Sequence, residues 1–286
     1  MKKIIITSES GCDLTKEQLN QYGIQIIPFG LNFPDRTVQD GQIPVQEIYD
    51  FYKRTKQIPK TNAVGPYQYT EFFENIAKEN PDCEIVHVGY SSACSSTFQN
   101  ACLGVRDCVN AKVHLVDSKN VSGGLGNLVL KAARMVEANP DQAVEELVEK
   151  IKNYVTRTKT AFVPDKLDFL SAGGRVSNAT ALGASIFRIK PQIDIINGEL
   201  IAGKKYLGMM KKVAKEFIQD FLSKEEFDKE TVFAFYSVGV QMDVLGNMIA
   251  SLKDYGFKEV IVLELGCVMT THGGKGAIGV SATRKN

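Results

Sequence analysis

Apolar and polar positions along the first half of the chain predict strands that alternate with helices. Short apolar runs at Lys2–Thr7, Ile85–Val88 and Ala111–Ser118 are typical of buried strands. Thr15 is predicted to cap a helix that continues to Tyr22, and Asp141–Thr158 has the apolar spacing of an amphipathic helix. This alternation predicts a doubly wound α/β domain with a mainly parallel sheet.

The pattern changes from about Thr160 onwards. Two strand-like runs flank Asn197-Gly198, which predicts a β-hairpin. Two further apolar runs then alternate with a helix that Gly256 is expected to close. We therefore predict a second α/β domain with a mixed sheet, and we divide the chain into domains 1–158 and 159–286. No linker rich in Gly, Pro or Ser separates them, so we expect the halves to pack tightly.

The segment that follows the Ile85–Val88 strand is rich in hydroxyls. We call Ser91–Thr97 the hydroxyl turn, and its hydroxyl residues are Ser91, Ser92, Ser95, Ser96 and Thr97. A helix is predicted to begin at its end, so free backbone N–H groups and the positive end of the helix dipole point toward it. The turn is therefore a candidate site for an anionic group, either a carboxylate or a phosphate.

Two more loops rich in small residues end predicted parallel strands. They are Ser8–Leu14 and Asp117–Gly126. Ligands of doubly wound sheets bind at the carboxyl ends of the strands, and both loops are expected on the same edge as the hydroxyl turn. Three such loops on one edge make a better candidate site than any one of them.

Composition excludes several classes of function. The chain has 286 residues, and its 34 Lys and Arg nearly balance its 33 Asp and Glu, so no basic surface for nucleic acid is expected. None of the six cysteines forms a C-x-x-C pair, and no acidic residue pairs with a histidine at ligand spacing, so no metal site is predicted. The first apolar run is too short for a signal peptide, and no run is long enough to insert stably in a membrane, so we expect a cytoplasmic location.

Enzymatic alternatives find less support in the motifs. A hydrolase with Cys94 or Ser95 as nucleophile would also need a general base that a third group orients. His272 is the only histidine predicted in a loop, and the sequence has no G-x-S-x-G nucleophile elbow. The glycine-rich turns lack the spacing of a P-loop or a dinucleotide fingerprint, so no nucleotide cofactor is predicted. What remains is a buried carboxylate or phosphate ligand that hydroxyls hold.

A second loop bears on this candidate site. Ile58–Asn62 lies between two predicted helices, where Thr61 is placed to close over the hydroxyl turn. The alternative is that Thr61 or Asn62 caps the next helix, and spacing alone favours that cap.

Seven motifs in order along the chain resemble those of the DegV family of bacterial lipid-binding proteins. In the first half they are TSESGCDL with Glu9 where Asp is usual, PKTNAVGP with Asn62 for Ser, YSSACSSTFQNA with Cys94 for Leu and Ser96 for Gly, and VDSKNVSGGLG. In the second half they are LDFLSAGGRVS, IKPQIDIINGEL and THGGKGAIGV, with Lys275 for Pro in the last. Each motif is weak alone, and their order makes the resemblance specific.

The resemblance implies two α/β domains and a long-chain fatty acid, such as palmitate or oleate, buried between or within them. It implies that Thr61 and the hydroxyl turn hold the carboxylate, with Ser95 as the motif serine. We include the neighbouring Ser92, Ser96 and Asn62 in the predicted carboxylate site. No catalytic residue, cofactor or metal is implied.

A partner is implied for some members of the family. They present the fatty acid to a separate fatty-acid kinase, and the arginine of G-G-R and the histidine of H-x-G-P-G serve that encounter or the phosphate transfer. The matching residues here are Arg175 and His272. The family's K-x-R-G motif carries a further arginine, which Leu207 replaces in this chain.

Overall fold

The computed structural model describes residues 3–176 and 189–285. The helices within these ranges are α1 (Lys16–Tyr22), α2 (Val45–Thr55), α3 (Pro66–Glu79), α4 (Thr97–Arg106), α5 (Ser122–Ala138), α6 (Val144–Arg157), α7 (Asp168–Gly173), α8 (Met210–Ser223), α9 (Met242–Tyr255) and α10 (Cys267–Gly273). The strands are β1 (Ile4–Glu9), β2 (Gln25–Ile27), β3 (Gly30–Asn32), β4 (Thr37–Gln39), β5 (Lys60–Asn62), β6 (Glu84–Gly89), β7 (Lys112–Asp117), β8 (Thr158–Val163), β9 (Ile189–Ile196), β10 (Glu199–Leu207), β11 (Phe227–Tyr236), β12 (Glu259–Glu264) and β13 (Ile278–Arg284).

The first half folds around a parallel sheet with strand order β2-β1-β6-β7. Every residue of β1 and β6 is buried, as central strands covered on both faces should be. The loops after β1, β6 and β7 leave the same edge, because parallel strands all end there. The predicted parallel sheet is confirmed.

The second half folds around a mixed sheet with strand order β10-β9-β8-β13-β11-β12. Only β11 and β12 pair in parallel, and the other neighbours are antiparallel. The β9–β10 hairpin turns at Asn197 and Gly198, both with positive φ, as the sequence predicts. The predicted mixed sheet is confirmed, and α6 ends at Arg157, directly before β8 begins.

Helix α5 contacts strands of both sheets. Its first nine residues, Ser122–Leu130, are all buried. The sequence suggested that Ser122–Gly126 belongs to a turn, and this was wrong because the glycines serve close packing instead. A Cβ at Gly126 would lie 2.5 Å from the Cys12 carbonyl oxygen, and one at Gly123 would lie 2.3 Å from the Phe235 ring.

The strand-like run Ile24–Phe33 contains β3, but the sequence patterns missed β4, β5 and the small antiparallel sheet β4-β3-β5 that they form with it. Its strands have three residues each, which is too short for a periodicity to be visible. Strand β5 carries Thr61 and Asn62, and the N-cap of α3 is Gly65. The expectation that Thr61 or Asn62 caps this helix was therefore wrong.

No helix among the described residues combines the length and the apolar composition needed to cross a bilayer. Ser177, the last residue of the G-G-R motif segment, lies outside the described residues, whereas Arg175 lies within them.

Candidate functional site

A polar cavity of about 810 Å³ lies where the loops after β2, β5 and β6 meet α10. The predicted Ser8–Leu14 loop after β1 contributes no residue to its wall. Six residues singled out from the sequence line it: Thr61, Asn62, Ser95, Ser96, Arg175 and His272. They come from both halves of the chain and are separated by up to 211 residues. The structure thus brings together all but one of the predicted site residues.

The hydroxyl turn is held in place from the second half of the chain. The buried Ser91 hydroxyl donates to the Gly198 carbonyl oxygen at 2.7 Å, and the Cys94 thiol donates to the same oxygen at 3.0 Å. The Ser95 hydroxyl accepts a hydrogen bond from the Thr97 backbone N–H at 3.2 Å. Because this bond uses a lone pair of Ser95 Oγ, the proton of that hydroxyl remains available for a ligand in the cavity.

The other two serines of the turn have different surroundings. Ser96 is exposed, lines the polar cavity and directly precedes α4. Ser92 is not among the lining residues: its hydroxyl accepts from Lys119 Nζ at 2.9 Å, and its N–H donates to Asp117 at 3.3 Å. The structure therefore ties Ser92 to the loop after β7 and does not bring it to the cavity.

Thr61 and His272 meet across the cavity wall, with 3.0 Å between Thr61 Oγ1 and His272 Nε2. Burial and, to a smaller extent, the positive charge of Arg175 together lower the pKa of His272 to about 4, so the imidazole is neutral at pH 7. His272 Nδ1 is buried and has no hydrogen-bond partner among the described residues.

These contacts assign the proton of the neutral ring. A buried N–H without an acceptor is less tolerable than a bare nitrogen lone pair, so the proton belongs on Nε2. Nε2 then donates to Thr61 Oγ1, and the Thr61 hydroxyl proton is left free to point into the cavity.

Asn62 contributes to the cavity wall with an amide that is already engaged. Its Nδ2 donates to Asn32 Oδ1 at 2.7 Å, and Asn32 Nδ2 donates to Asn62 Oδ1 at 3.1 Å. This reciprocal amide pair ties β5 to β3 and so fixes the strand that carries Thr61.

Arg175 supplies a positive charge in the wall of the cavity. The residue is exposed, its guanidinium donates to the Gly173 carbonyl oxygen, and no carboxylate among the described residues pairs with it. An anion that enters the polar cavity therefore meets a cation that is not neutralised by this part of the protein.

An apolar cavity adjoins the polar one. It measures about 50 Å³ and shares the residues Tyr90, Arg175, Leu200, Met269 and His272 with the polar cavity. Its deeper wall is almost entirely apolar and includes Val121, Phe162, Leu170, Ile195, Phe235, Leu265, Ala277 and Ile278. The sequence did not reveal this cavity, because its wall residues are indistinguishable from those of the core.

Phe235 forms a fixed part of that wall. A Cβ at Gly123 would lie 2.3 Å from its ring, and one at Gly279 would lie 2.0 Å from it. The ring is thus packed directly against the backbone of α5 and β13, where a larger residue on either side would not fit.

Two aspartates from the first half of the chain hold the beginning of α10, the helix that carries His272. Asp13 accepts from the Gly266 N–H at 2.8 Å, and Asp40 accepts from the Cys267 N–H at 3.0 Å. Burial raises the pKa of Asp13 to about 8, with a further contribution from nearby Asp40. Asp40 was missed by the sequence analysis, since it lies outside every recognised motif.

The geometry does not assemble a hydrolase from Cys94 or Ser95. Burial raises the pKa of the Cys94 thiol to about 11, so it is protonated at pH 7. His272 bonds to Thr61, and no described histidine bonds to Cys94 or Ser95. Within residues 3–176 and 189–285, no three His, Cys, Asp or Glu side chains lie close enough together to hold a metal ion.

Comparison with known proteins gives consistent matches over the whole chain. The model of a family described as uncharacterised proteins of the DegV family matches residues 3–285. A DegV domain-containing protein of Clostridium perfringens is 30% identical over 275 residues, 96% of each chain. A protein of Thermotoga maritima named as a fatty acid-binding protein is 27% identical and covers 97% of this chain and 96% of its own.

Solved structures agree with these matches. The structure of a DegV lipid-binding protein from Thermotoga maritima superposes with a TM-score of 0.84 at 25% identity and covers 100% of both chains. A fatty-acid-binding DegV family protein from Thermus thermophilus shares the fold, with a TM-score of 0.88 at 23% identity over 99% of this chain and 100% of the other.

Proposed function

Because this chain belongs to the DegV family, we propose that it binds a long-chain fatty acid such as palmitate or oleate. The carboxylate would occupy the polar cavity, and the acyl chain would extend into the apolar cavity. The names of the Thermotoga maritima relative and of the lipid-binding structure support this ligand class.

One observation carries the proposal: a cavity with free hydroxyl donors in its wall adjoins a cavity with an almost entirely apolar wall. A small polar anion such as phosphate would use the first and leave the second empty. A fatty acid uses both, because its head needs donors and its tail needs to be removed from water.

The head group would be held mainly by neutral donors. Thr61 and Ser95 each have a hydroxyl proton to donate, and Ser96 lines the same cavity. A carboxylate removed from water without partners would be costly, so these bonds decide whether the head can enter. Arg175 adds a favourable charge in the cavity wall without a bidentate ion pair being required.

The tail would supply most of the affinity. Burying about 15 methylenes is worth roughly 12 kcal/mol before the cost of immobilising the chain is subtracted. The apolar cavity of about 50 Å³ is much smaller than a typical ligand site of roughly 300–1,000 Å³, so its wall must open. The unbranched Met269 is the kind of side chain that can move for this, whereas Phe235 is fixed between two glycines.

The test is to purify the protein from cells under native conditions and to measure its bound lipid by mass spectrometry after denaturing extraction. We expect one long-chain fatty acid per chain, and we expect delipidated protein to bind palmitate or oleate again. Protein that carries no lipid and also fails to bind either fatty acid after delipidation refutes the proposal.

We further propose that the chain has no catalytic activity of its own and acts in the cytoplasm in lipid transport or fatty-acid metabolism. The protonated Cys94 thiol, and the lack of a contact between Ser95 and any described histidine, support a binding role. Unchanged, background-level ester hydrolysis in wild type, Cys94→Ala and Ser95→Ala is the expected result.

A second candidate function is that of an acyl carrier that presents the fatty acid to a partner fatty-acid kinase. The observation that favours it is the exposed Arg175 in the cavity wall, which pairs with no carboxylate in the described parts of the chain. An acyl phosphate formed there would carry more negative charge than the carboxylate and would gain from this guanidinium. Leu207, at the position of the family's further arginine, is 60% exposed and offers no charge.

The kinase role is tested with a purified bacterial fatty-acid kinase, ATP and the loaded protein. Acyl phosphate that forms with wild type and falls strongly with Arg175→Gln would support it. No product with any kinase of the same cell, from protein that does bind fatty acid, would refute this role and leave lipid binding intact.

A further inference from the structure

Glu9 is a fully buried carboxylate at the end of β1, and neither cavity includes it in its wall. It stands where the motifs of the family usually have Asp, and the binding site described above does not use it. An ionised carboxylate only accepts hydrogen bonds, so its burial requires several donors around it.

Three donors surround this carboxylate. The Tyr69 hydroxyl and His87 Nε2, the latter at 3.1 Å, both donate to Glu9 Oε1, and the Tyr90 backbone N–H donates to Oε2 at 2.9 Å. Burial alone would raise the pKa of Glu9, but His87, Tyr69 and the Tyr90 N–H together lower it, so the group is ionised in the folded protein.

The donors connect Glu9 to both ends of the hydroxyl turn. Tyr90 directly precedes Ser91, the first residue of the turn. At the other end, the Tyr69 hydroxyl lies 3.0 Å from Thr97 Oγ1, and the Thr97 N–H donates to Ser95 Oγ at 3.2 Å. One carboxylate therefore fixes the entry to the turn directly and its exit through a single tyrosine.

The pair with His87 makes the arrangement rigid. His87 is fully buried, and its Nδ1 lies 2.9 Å from Thr7 Oγ1, so both ring nitrogens are engaged. Since Glu9 only accepts, His87 Nε2 must carry a proton whichever charge the ring has. The ring and the carboxylate thus hold each other against the β1–β6 pair.

We propose that Glu9 is a positioning residue for the carboxylate site: its hydrogen bonds to Tyr90 and Tyr69 hold the hydroxyl turn in the shape that presents Ser95 to the ligand. This rests on the proposed fatty-acid binding. Glu9 itself does not touch the ligand, so its effect must reach the head of the fatty acid and spare the tail.

The test compares a ligand that has a carboxylate with one that lacks it. Wild type, Glu9→Asp, Glu9→Gln, Tyr69→Phe and Thr97→Val are delipidated, and their dissociation constants for palmitate and for 1-hexadecanol are measured. Glu9→Gln places an amide among hydrogen-bond donors and risks misfolding. Tyr69→Phe and Thr97→Val are included because they test the proposal even if Glu9→Gln does not fold.

The matched control is Tyr206→Phe. Tyr206 is also a fully buried tyrosine, and its hydroxyl proton is shared between the Gln192 side-chain oxygen at 2.8 Å and the Asp220 carboxylate at 2.9 Å. It lies in the core of the second sheet and lines neither cavity. It is expected to lower the melting temperature as Tyr69→Phe does and to change neither dissociation constant.

We expect Tyr69→Phe to weaken palmitate binding by about 3- to 10-fold, the range of one misplaced hydrogen bond, with 1-hexadecanol binding unchanged. We expect Glu9→Asp to retain more palmitate binding than Glu9→Gln. Equal losses for the two ligands, or no loss for palmitate in folded Tyr69→Phe and Thr97→Val, would overturn the proposal. Wild type that binds neither ligand would instead refute the proposed function.

Discussion

Replacing Thr61 by Val should weaken fatty-acid binding more than any other single change of similar size in the wall of the polar cavity. Valine preserves the volume of threonine and removes its hydroxyl. The His272 Nε2–H then loses its partner at 3.0 Å while Nδ1 of the same ring already has none among the described residues. The ligand carboxylate loses a donor at the same time.

The magnitude follows from these two losses. A lost hydrogen bond to a charged group is worth about 1.5–3 kcal/mol, which corresponds to a dissociation constant raised roughly 10- to 150-fold. The stranded donor of His272 costs about 1–3 kcal/mol in the ligand-free protein. Because a protein of this size loses roughly 2–4 °C per kcal/mol, we expect a melting temperature lowered by about 2–12 °C.

The assay separates the two effects. Delipidated protein is titrated with palmitate in a fluorescence competition assay, and melting is followed by calorimetry without ligand. Thr61→Ser is the control, since it keeps the hydroxyl, and it should remain close to wild type. Ser95→Ala should weaken binding with a smaller change in melting temperature, because Ser95 supports only the Thr97 N–H at 3.2 Å.

Two results would refute this reasoning. If Thr61→Val bound palmitate as tightly as wild type, the Thr61 hydroxyl would not be a donor to the carboxylate. If Thr61→Ser lost as much affinity as Thr61→Val, the methyl group would matter and the hydrogen bond would not.

Three further predictions concern stability and the shape of the apolar cavity. Since the pKa of Asp13 is raised to about 8 in the folded state, ionisation of this side chain opposes folding. The melting temperature of wild type should therefore fall between pH 5 and pH 8, and that of Asp13→Asn should fall less steeply. Calorimetry across this range measures both slopes, and equal slopes would contradict the raised pKa. Gly198→Ala should destabilise the protein by about 1–3 kcal/mol in urea unfolding, because φ is +92° there and the new Cβ would lie 2.5 Å from Ser91 Oγ, whereas Gly246→Ala in open space on α9 should not. Phe235→Leu should raise the affinity for a fatty acid two methylenes longer than palmitate, relative to that for palmitate, by up to about tenfold in a competition assay. An unchanged preference would show that Phe235 does not limit the length of the acyl chain.

Local signals in the sequence predicted the larger elements well. The Thr15 capping box at α1, the Asn197-Gly198 hairpin and the Gly256 cap of α9 each depend on a few adjacent residues, and the structure has all three. The three-residue strands around Thr61 and the seven-residue helix α10 are too short to carry a periodicity, and tertiary contacts decide them.

The candidate site was predictable only in its polar part. Hydroxyls that follow a strand are conspicuous in a sequence, so Ser95 and its neighbours could be found. The apolar wall could not be found, because Phe162, Ile195 and Phe235 differ from ordinary core residues only in facing a gap. Ser92 was predicted to belong to the site because it lies in the hydroxyl turn, but its hydroxyl pairs with Lys119 and does not line the cavity.

The bond between Thr61 and His272 and the aspartates that hold α10 join the two halves of the chain beside the cavity where we propose that the fatty acid binds. A molecule that contacts both halves acts as a reversible crosslink, because it can make all its contacts only when the two halves are together. By linkage, ligand at 100 times its dissociation constant adds about 2.7 kcal/mol to the stability of the assembled chain. The halves expressed as separate fragments should therefore associate more tightly in the presence of the ligand, and a bound fatty acid would then be a part of what holds the protein together.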